Sequence, residues 1–259
     1  MSLTIYHLHW GQSDRIVWLC EELAELIPNF TYSLVIFPRG LPDSEGKKNL
    51  FSLHPSGTAP TMVDESTTPP IIMTESQAIL EYIINVHGQG HFQITPSAGP
   101  HTYSQYLYWL CFANGSFQAF LSANLLGESL INQPGASIDP SQNWAYLHYS
   151  ARTPNHLNQY NNRLAESKYL AGEEFSAADM MSIYAFTLYR AVHSIDLTDY
   201  PHILRWLGDV TSRPAYRRAL EKCEDGLPPL IQAKVPKVPL PVLMSVESWK
   251  VVPEWSGKA

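Results

Sequence analysis

The stretch HPSGTAPTMVDESTTPPIIMTESQAI, residues 54–79, holds two short apolar and β-branched runs, APTMVDE (59–65) and PIIMTE (70–75). The turn-rich STTP between them predicts a β-hairpin. Pro60 stands at the start of the first strand, where its missing N–H costs no ladder bond and where a cis bond is a candidate geometry. With a cis bond, Ala59 turns its N–H and C=O sideways toward an outside peptide, a one-residue form of strand addition. A trans Pro opening an edge strand is the alternative. At the other end, Glu75 and Ser76 lie where the second strand enters a helix. The Ser hydroxyl and the first free N–H groups make a pocket for a carboxylate, and the Glu carboxylate suits an ammonium beside it. A simple Ser cap with an acidic neighbour is the alternative.

Outward from this stretch, SQAILEYIINVHG (76–88) reads as an amphipathic helix with Ile79, Leu80, Ile83 and Ile84 inward, ending at Gly88. Upstream, LTIYHL (3–8) and FTYSLVIF (30–37) read as strands around the helix SDRIVWLCEELAEL. That helix places Ile16, Leu19, Cys20, Leu23 and Ile27 on one face and Glu21, Glu22 and Glu25 on the other, and Pro28 stops it. Strand, helix, strand predicts parallel pairing through a right-handed crossover. Residues 38–57, broken by Pro and Gly, carry no assignable pattern. The first domain is thus 1–88, followed by a Gly/Pro-bounded linker, 89–100.

Past the linker the strand signal disappears. Residues 101–126 form a long aromatic-rich helix, and 127–142 read as loop. The helix that follows is kinked or restarted by Pro154. FSAADMMSIYAFTLYRAV (175–192) opens with Ser176 as N-cap and Asp179 three residues on, a capping box. Two further helices complete an all-helical domain over 101–225. A Pro-rich tail, 226–259, is expected to lie extended over the surface. No internal repeat is present.

The 259 residues are 45% hydrophobic and 16% charged, enough apolar material for two cores. A formal net charge of −7 argues against sequence-independent nucleic-acid binding. Cys20, Cys111 and Cys223 are widely spaced with no CxxC pair, so neither a zinc site nor a disulfide framework is expected. The N-terminus lacks a signal-peptide pattern and no apolar run spans a bilayer, so a soluble cytosolic protein is expected.

The element order, TAP at the third strand, ES at the last helix of the first domain and FSAAD in the second resemble the glutathione S-transferase family over residues 3–222. HPSGTAPTM and RIVWLCEEL are most similar to its fungal and bacterial Ser-type members. The resemblance implies a thioredoxin-like α/β domain followed by an all-α bundle, and glutathione as cofactor. It implies that Pro60 is the cis-Pro, that Ala59 binds the cysteinyl backbone and that Glu75 and Ser76 hold the γ-glutamyl end. His54 and Thr58 lie in the glutathione-facing turn. Thr58 stands where relatives often carry Lys, so Arg39 or Lys47 is a candidate for the glycyl carboxylate. A homodimer is also implied.

Such an enzyme must form a thiolate from a thiol of pKa about 8.5. Ser-type members carry Ser or Cys at the end of the first strand. That position falls on Gly11, which leaves Ser13, by hydroxyl or N–H, and Tyr6 as candidate thiol activators. As the alternatives, Ser13 caps the helix and Tyr6 packs on the sheet. His9 also borders the turn. The second substrate, an apolar electrophile, is expected against Trp10, Tyr108, Trp109, Phe112 and Asn114, each aromatic having core packing as its alternative. The reaction is conjugation of glutathione, with glutathione-dependent cis–trans isomerisation in a specialised pathway as the alternative. A non-catalytic binding module is the rival of another class. A redox enzyme using its own cysteine is the least favoured, because no Cys lies at the strand–helix join.

Overall fold

The computed structural model describes residues 3–39, 44–131, 139–193 and 195–238. Strands β1 (Leu3–Leu8), β2 (Ser33–Phe37), β3 (Thr61–Asp64) and β4 (Ile71–Thr74) form one sheet in the order β2-β1-β3-β4. β1 and β2 are parallel, joined through helix α1 (Asp14–Leu26), and β3 runs antiparallel to both β1 and β4. The βαβ unit and the hairpin are both present. The unassigned stretch contains α2 (Glu45–Leu53), which the surrounding Pro and Gly residues concealed; residues 40–43 lie outside the described residues. Helix α3 (Ser76–Tyr82) continues as a π-helical turn, Ile83–His87.

Alternation along β1 buries Leu3, Ile5 and His7 on one face and half-buries Thr4, Tyr6 and Leu8 on the other. The buried apolar residues join Ile16, Leu19 and Leu23 of α1 and Ile79, Leu80 and Ile83 of α3 in a core continuous with the helical domain. α1 is buried on every side from Asp14 to Leu23, so its acidic face is not solvated. Glu22 receives Arg213 (Nε 2.5 Å, Nη2 2.7 Å) and Trp18 Nε1 (2.8 Å), and Glu21 receives Lys222 (2.6 Å) and Arg218 (3.2 Å). A charge pattern that suits a solvent face therefore makes the seam between the domains.

The helical domain comprises α4 (Pro100–Phe112), a π-helical turn (Ala113–Gln118), α5 (Ala119–Ile131), α6 (Trp144–Ser150), α7 (Arg152–Glu166), α8 (Ala177–Phe186), α9 (Pro201–Thr211) and α10 (Pro214–Cys223). α4 to α5 is one uninterrupted helical run that ends at Ile131, five residues beyond the expected end at 126. Of the expected loop, residues 132–138 lie outside the described residues. Pro154 sits in the first turn of α7, where its missing N–H is among the donors a helix leaves free, so it restarts the helix rather than kinking it. The Ser176–Asp179 capping box is formed. Asp179 also accepts Leu170 N–H (3.0 Å) and Trp206 Nε1–H (2.9 Å), tying three segments to one buried carboxylate. The described part of the tail, 226–238, is anchored: Arg190 Nη2 donates to the carbonyls of Gln232 (2.8 Å) and Ala233 (2.6 Å), and Val238 N–H to Ala191 (2.7 Å). Residues 239–259 of the tail lie outside the described residues.

Candidate functional site

Sheet register brings the motifs together. Tyr6 pairs with Thr61, and Thr61 with Thr74. The C-terminal end of β1, the start of β3 and the end of β4 therefore share one edge of the sheet. The turn into α1, Ala59–Pro60 and Glu75–Ser76 all lie there. The Ala59–Pro60 bond is cis, as is Thr68–Pro69 in the hairpin connector. Ser76 is fully buried and its hydroxyl has no hydrogen-bond partner among the described residues. A buried unpaired hydroxyl costs free energy that a bound acceptor or donor recovers. Glu75, beside it, is exposed and held at φ 74°, in the left-handed region.

The turn over residues 54–58 is tied internally. His54 Nδ1 and Ser56 Oγ are 2.9 Å apart, as are Ser56 Oγ and Thr58 Oγ1, and Thr61 Oγ1 donates to Thr58 O (2.7 Å). Lys47 Nζ donates to Gly57 O and Arg39 Nε to His9 O (2.8 Å), so both candidate cations brace backbone.

The β1–α1 turn differs from expectation. A Cβ at Gly11 would lie 2.5 Å from Leu8 O, so this backbone has no room for the Ser of the Ser-type members. Ser13 is fully buried, and its Oγ lies 2.8 Å from His7 Nδ1 and accepts Leu8 N–H at 3.4 Å. In either imidazole tautomer the hydroxyl is committed inside the protein. It neither caps α1, at whose N-terminus it makes no side-chain bond, nor reaches an outside sulfur. Tyr6 lies on the sheet face opposite His7, its ring stacked 6.1 Å from that of Phe37. Ser13 is thereby corrected to a network residue, and the Tyr6 ring packs on the sheet, the alternative given for it.

What the turn presents instead is Gln12. Arg15 Nη2 donates to Gln12 Oε1 (2.8 Å) and Gln118 Oε1 (2.9 Å), and Gln118 Nε2 donates to Gln12 Oε1 (2.8 Å). A guanidinium only donates, so both amide orientations are fixed. Gln12 is half-exposed, and its Nε2 enters none of these bonds. Arg15 itself is fully buried and also holds Asn114 Oδ1 (2.9 Å) and Met181 O (2.6 Å). Burial lowers its pKa to about 10, and it stays cationic at neutral pH.

Trp10 adopts φ 58° and is buried. Its N–H donates to Glu224 (Oε1 2.9 Å, Oε2 3.2 Å), and its carbonyl accepts Arg39 Nη2 (3.2 Å) and Tyr184 O–H (3.0 Å). Glu224 Oε1 also lies 3.1 Å from His7 Nε2. Burial raises Glu224 to about 8 and Asp14 to about 7, and depresses His7 to about 4. Trp109 and Phe112 belong to the helical core, within 5.6 Å of the Tyr160 ring, so they line no site; Tyr108 alone of that group is substantially exposed. Asn114 serves Arg15. Gln12 sits at the strand–helix join, where a turn amide is a signal legible in the sequence. Glu224, 214 residues from Trp10, gave none.

The family profile described as glutathione S-transferase, C-terminal domain, matches residues 138–214. Glutathione S-transferase 3 of Schizosaccharomyces pombe is 30% identical over 235 residues, covering 86% of this chain and 89% of its own. The chain belongs to the glutathione S-transferase family. A solved glutathione S-transferase from Actinobacillus pleuropneumoniae is 26% identical, with TM-score 0.67 over 86% of this chain and 93% of its own. The glutathione transferase YghU from Streptococcus pneumoniae, solved in complex with glutathione, shares the fold at 22% identity, with TM-score 0.68 over 85% of this chain and 82% of its own. The α/β thioredoxin-like and helical domains are those of this family. Among the described residues no helix is long and apolar enough to cross a membrane.

Proposed function

We propose that the protein binds glutathione at this sheet edge and uses its thiolate against an apolar electrophile. The observation that carries the reading is Ser76: a fully buried hydroxyl without a partner among the described residues, beside exposed Glu75 and on one sheet edge with cis Ala59–Pro60. Ser76 Oγ and the first N–H groups of α3 would take the α-carboxylate of the γ-glutamyl group, and Glu75 its ammonium. The backbone of Ala59 would pair with the cysteinyl residue. Gln12 Nε2 is assigned as the donor to the sulfur. A hydrogen bond to the charged form favours it, so the thiol pKa falls. The protein then contributes proximity and an anion-stabilising donor rather than a proton acceptor.

An apolar cavity of about 330 Å³, lined by Leu126, Leu130, Ile131, Tyr146 and Tyr149, begins at Ala123, five residues beyond Gln118 on the same helical run. It is the room the helical domain offers an apolar co-substrate. Conjugation is the reaction read here; net loss of free glutathione distinguishes it from isomerisation, which returns glutathione and alters double-bond geometry. A cytosolic homodimer completes the reading, its dimer arm checked by light scattering after gel filtration.

The test is the ultraviolet titration of bound glutathione in wild type and Gln12→Ala. The expected result is a thiol pKa below about 8.5 in wild type, rising in the variant. Tight binding with no shift in wild type would leave a binding module and remove the thiolate mechanism.

A further inference from the structure

The turn that carries Gln12 is held from the Trp10 carbonyl by Arg39 and Tyr184 and from the Trp10 N–H by a carboxylate of the helical domain. Trp10 stands at φ 58°, a conformation that an L side chain adopts only when its surroundings hold it. Its N–H donates to the Glu224 carboxylate, which follows the last residue of α10. The same carboxylate meets His7 Nε2, and the far side of that imidazole meets Ser13 Oγ. Glu224 therefore touches β1, fixes Trp10 and, through His7, reaches the residue after Gln12. All four side chains are at least 95% buried. Water does not replace these contacts.

We infer that Glu224 is a positioning residue for the sulfur site: it holds the Trp10 turn so that the Gln12 amide faces the glutathione sulfur. This rests on the sulfur-binding role proposed above for Gln12. The side chain needs only to accept hydrogen bonds from Trp10 N–H and the His7 ring, so a neutral amide of the same shape serves, and a methyl group does not.

The test compares Glu224→Ala and Glu224→Gln in the full-length protein by three readouts: amide hydrogen exchange of residues 8–14, the thiol pKa of bound glutathione, and steady-state kinetics with a chromogenic electrophile. In Glu224→Ala, exchange over 8–14 accelerates, the thiol pKa moves back toward the free value, and kcat falls by roughly tenfold or more while KM for glutathione stays within about threefold. Glu224→Gln restores all three toward wild type. If Glu224→Ala does not fold, Glu224→Asp, whose carboxylate is drawn back by one methylene, takes its place with the same expectation. Faster exchange without a change in thiol pKa, or a lost pKa shift without faster exchange, overturns the assignment. So does a glutamine variant as impaired as the alanine one. Because His7, Cys223 and Glu224 bring ligand atoms within 4.8 Å of one another, stoichiometric zinc or copper in the purified protein also overturns it, the carboxylate then being a metal ligand. If wild type shows no thiol pKa shift, the thiolate mechanism fails. The exchange of residues 8–14 still decides whether Glu224 holds the turn.

Discussion

Replacing Ser13 by Ala separates structure from chemistry at the β1–α1 turn. The substitution removes the 2.8 Å contact to His7 Nδ1 and the 3.4 Å acceptor of Leu8 N–H, inside a fully buried environment. Leaving a buried polar partner unsatisfied costs about 1–3 kcal/mol. At about 2–4 °C of Tm per kcal/mol for a chain of this size, the expected fall is about 2–12 °C. Trp10 N–H keeps Glu224 and Gln12 keeps Arg15 and Gln118, so the amide proposed for the sulfur keeps its contacts. The thiol pKa of bound glutathione should therefore equal that of wild type. Urea unfolding reads the first quantity, as a lower midpoint at unchanged slope, and thiolate absorbance against pH the second. A variant of wild-type stability whose bound thiol returns to about 8.5 would refute the reasoning, because the hydroxyl would then act on the sulfur.

Ser76→Ala deletes a buried hydroxyl that has no partner among the described residues, so stability should hold or rise while glutathione affinity falls about tenfold or more by calorimetry; unchanged affinity would remove Ser76 from the site. Gly11→Ser cannot restore a Ser-type enzyme, because its Cβ meets Leu8 O at 2.5 Å; it should lower both the unfolding midpoint and kcat, and a more active variant would contradict the geometry. Glu224, raised by burial from 4.5 to about 8, and Asp14, from 3.8 to about 7, hold their protons more tightly when folded. The stability they contribute is present at low pH and lost as pH rises through those values, with a slope approaching about 1.4 kcal/mol per pH unit for each group. His7, depressed from 6.5 to about 4, acts with the opposite sign only between those values. The pocket also faces His9, Arg39, Cys223 and Asp225. Urea midpoints should thus fall between pH 6.5 and 8, less steeply in Glu224→Gln; a flat or rising wild-type profile would sink this.

Much of the architecture is local and therefore legible in the chain. Period-two alternation in LTIYHL, the helical spacing of Ile79, Leu80, Ile83 and Ile84, the turn residues between β3 and β4 and the Ser176–Asp179 capping box each depend on neighbours a few residues apart. TAP and ES mark the cis bond and the buried serine for the same reason: strand ends and helix starts are set by short-range backbone chemistry. The acidic face of α1, the fate of Ser13 and the steric closure at Gly11 depend instead on groups brought from elsewhere. Arg213 and Lys222 arrive from α10 to neutralise Glu21 and Glu22. His7 takes the hydroxyl that a helix cap or a thiolate would otherwise claim. Trp109 and Phe112 were ambiguous because an aromatic helix stripe looks alike over a core or a pocket, and only the position of Tyr160 on α7 decides for core. The sequence by itself determined which elements form and which motifs sit at their ends. Tertiary structure decided which polar groups are spent on one another and which, Ser76 Oγ and Gln12 Nε2 in the proposed site, are not, because hydrogen bonding between residues up to 217 positions apart is settled only when the domains pack.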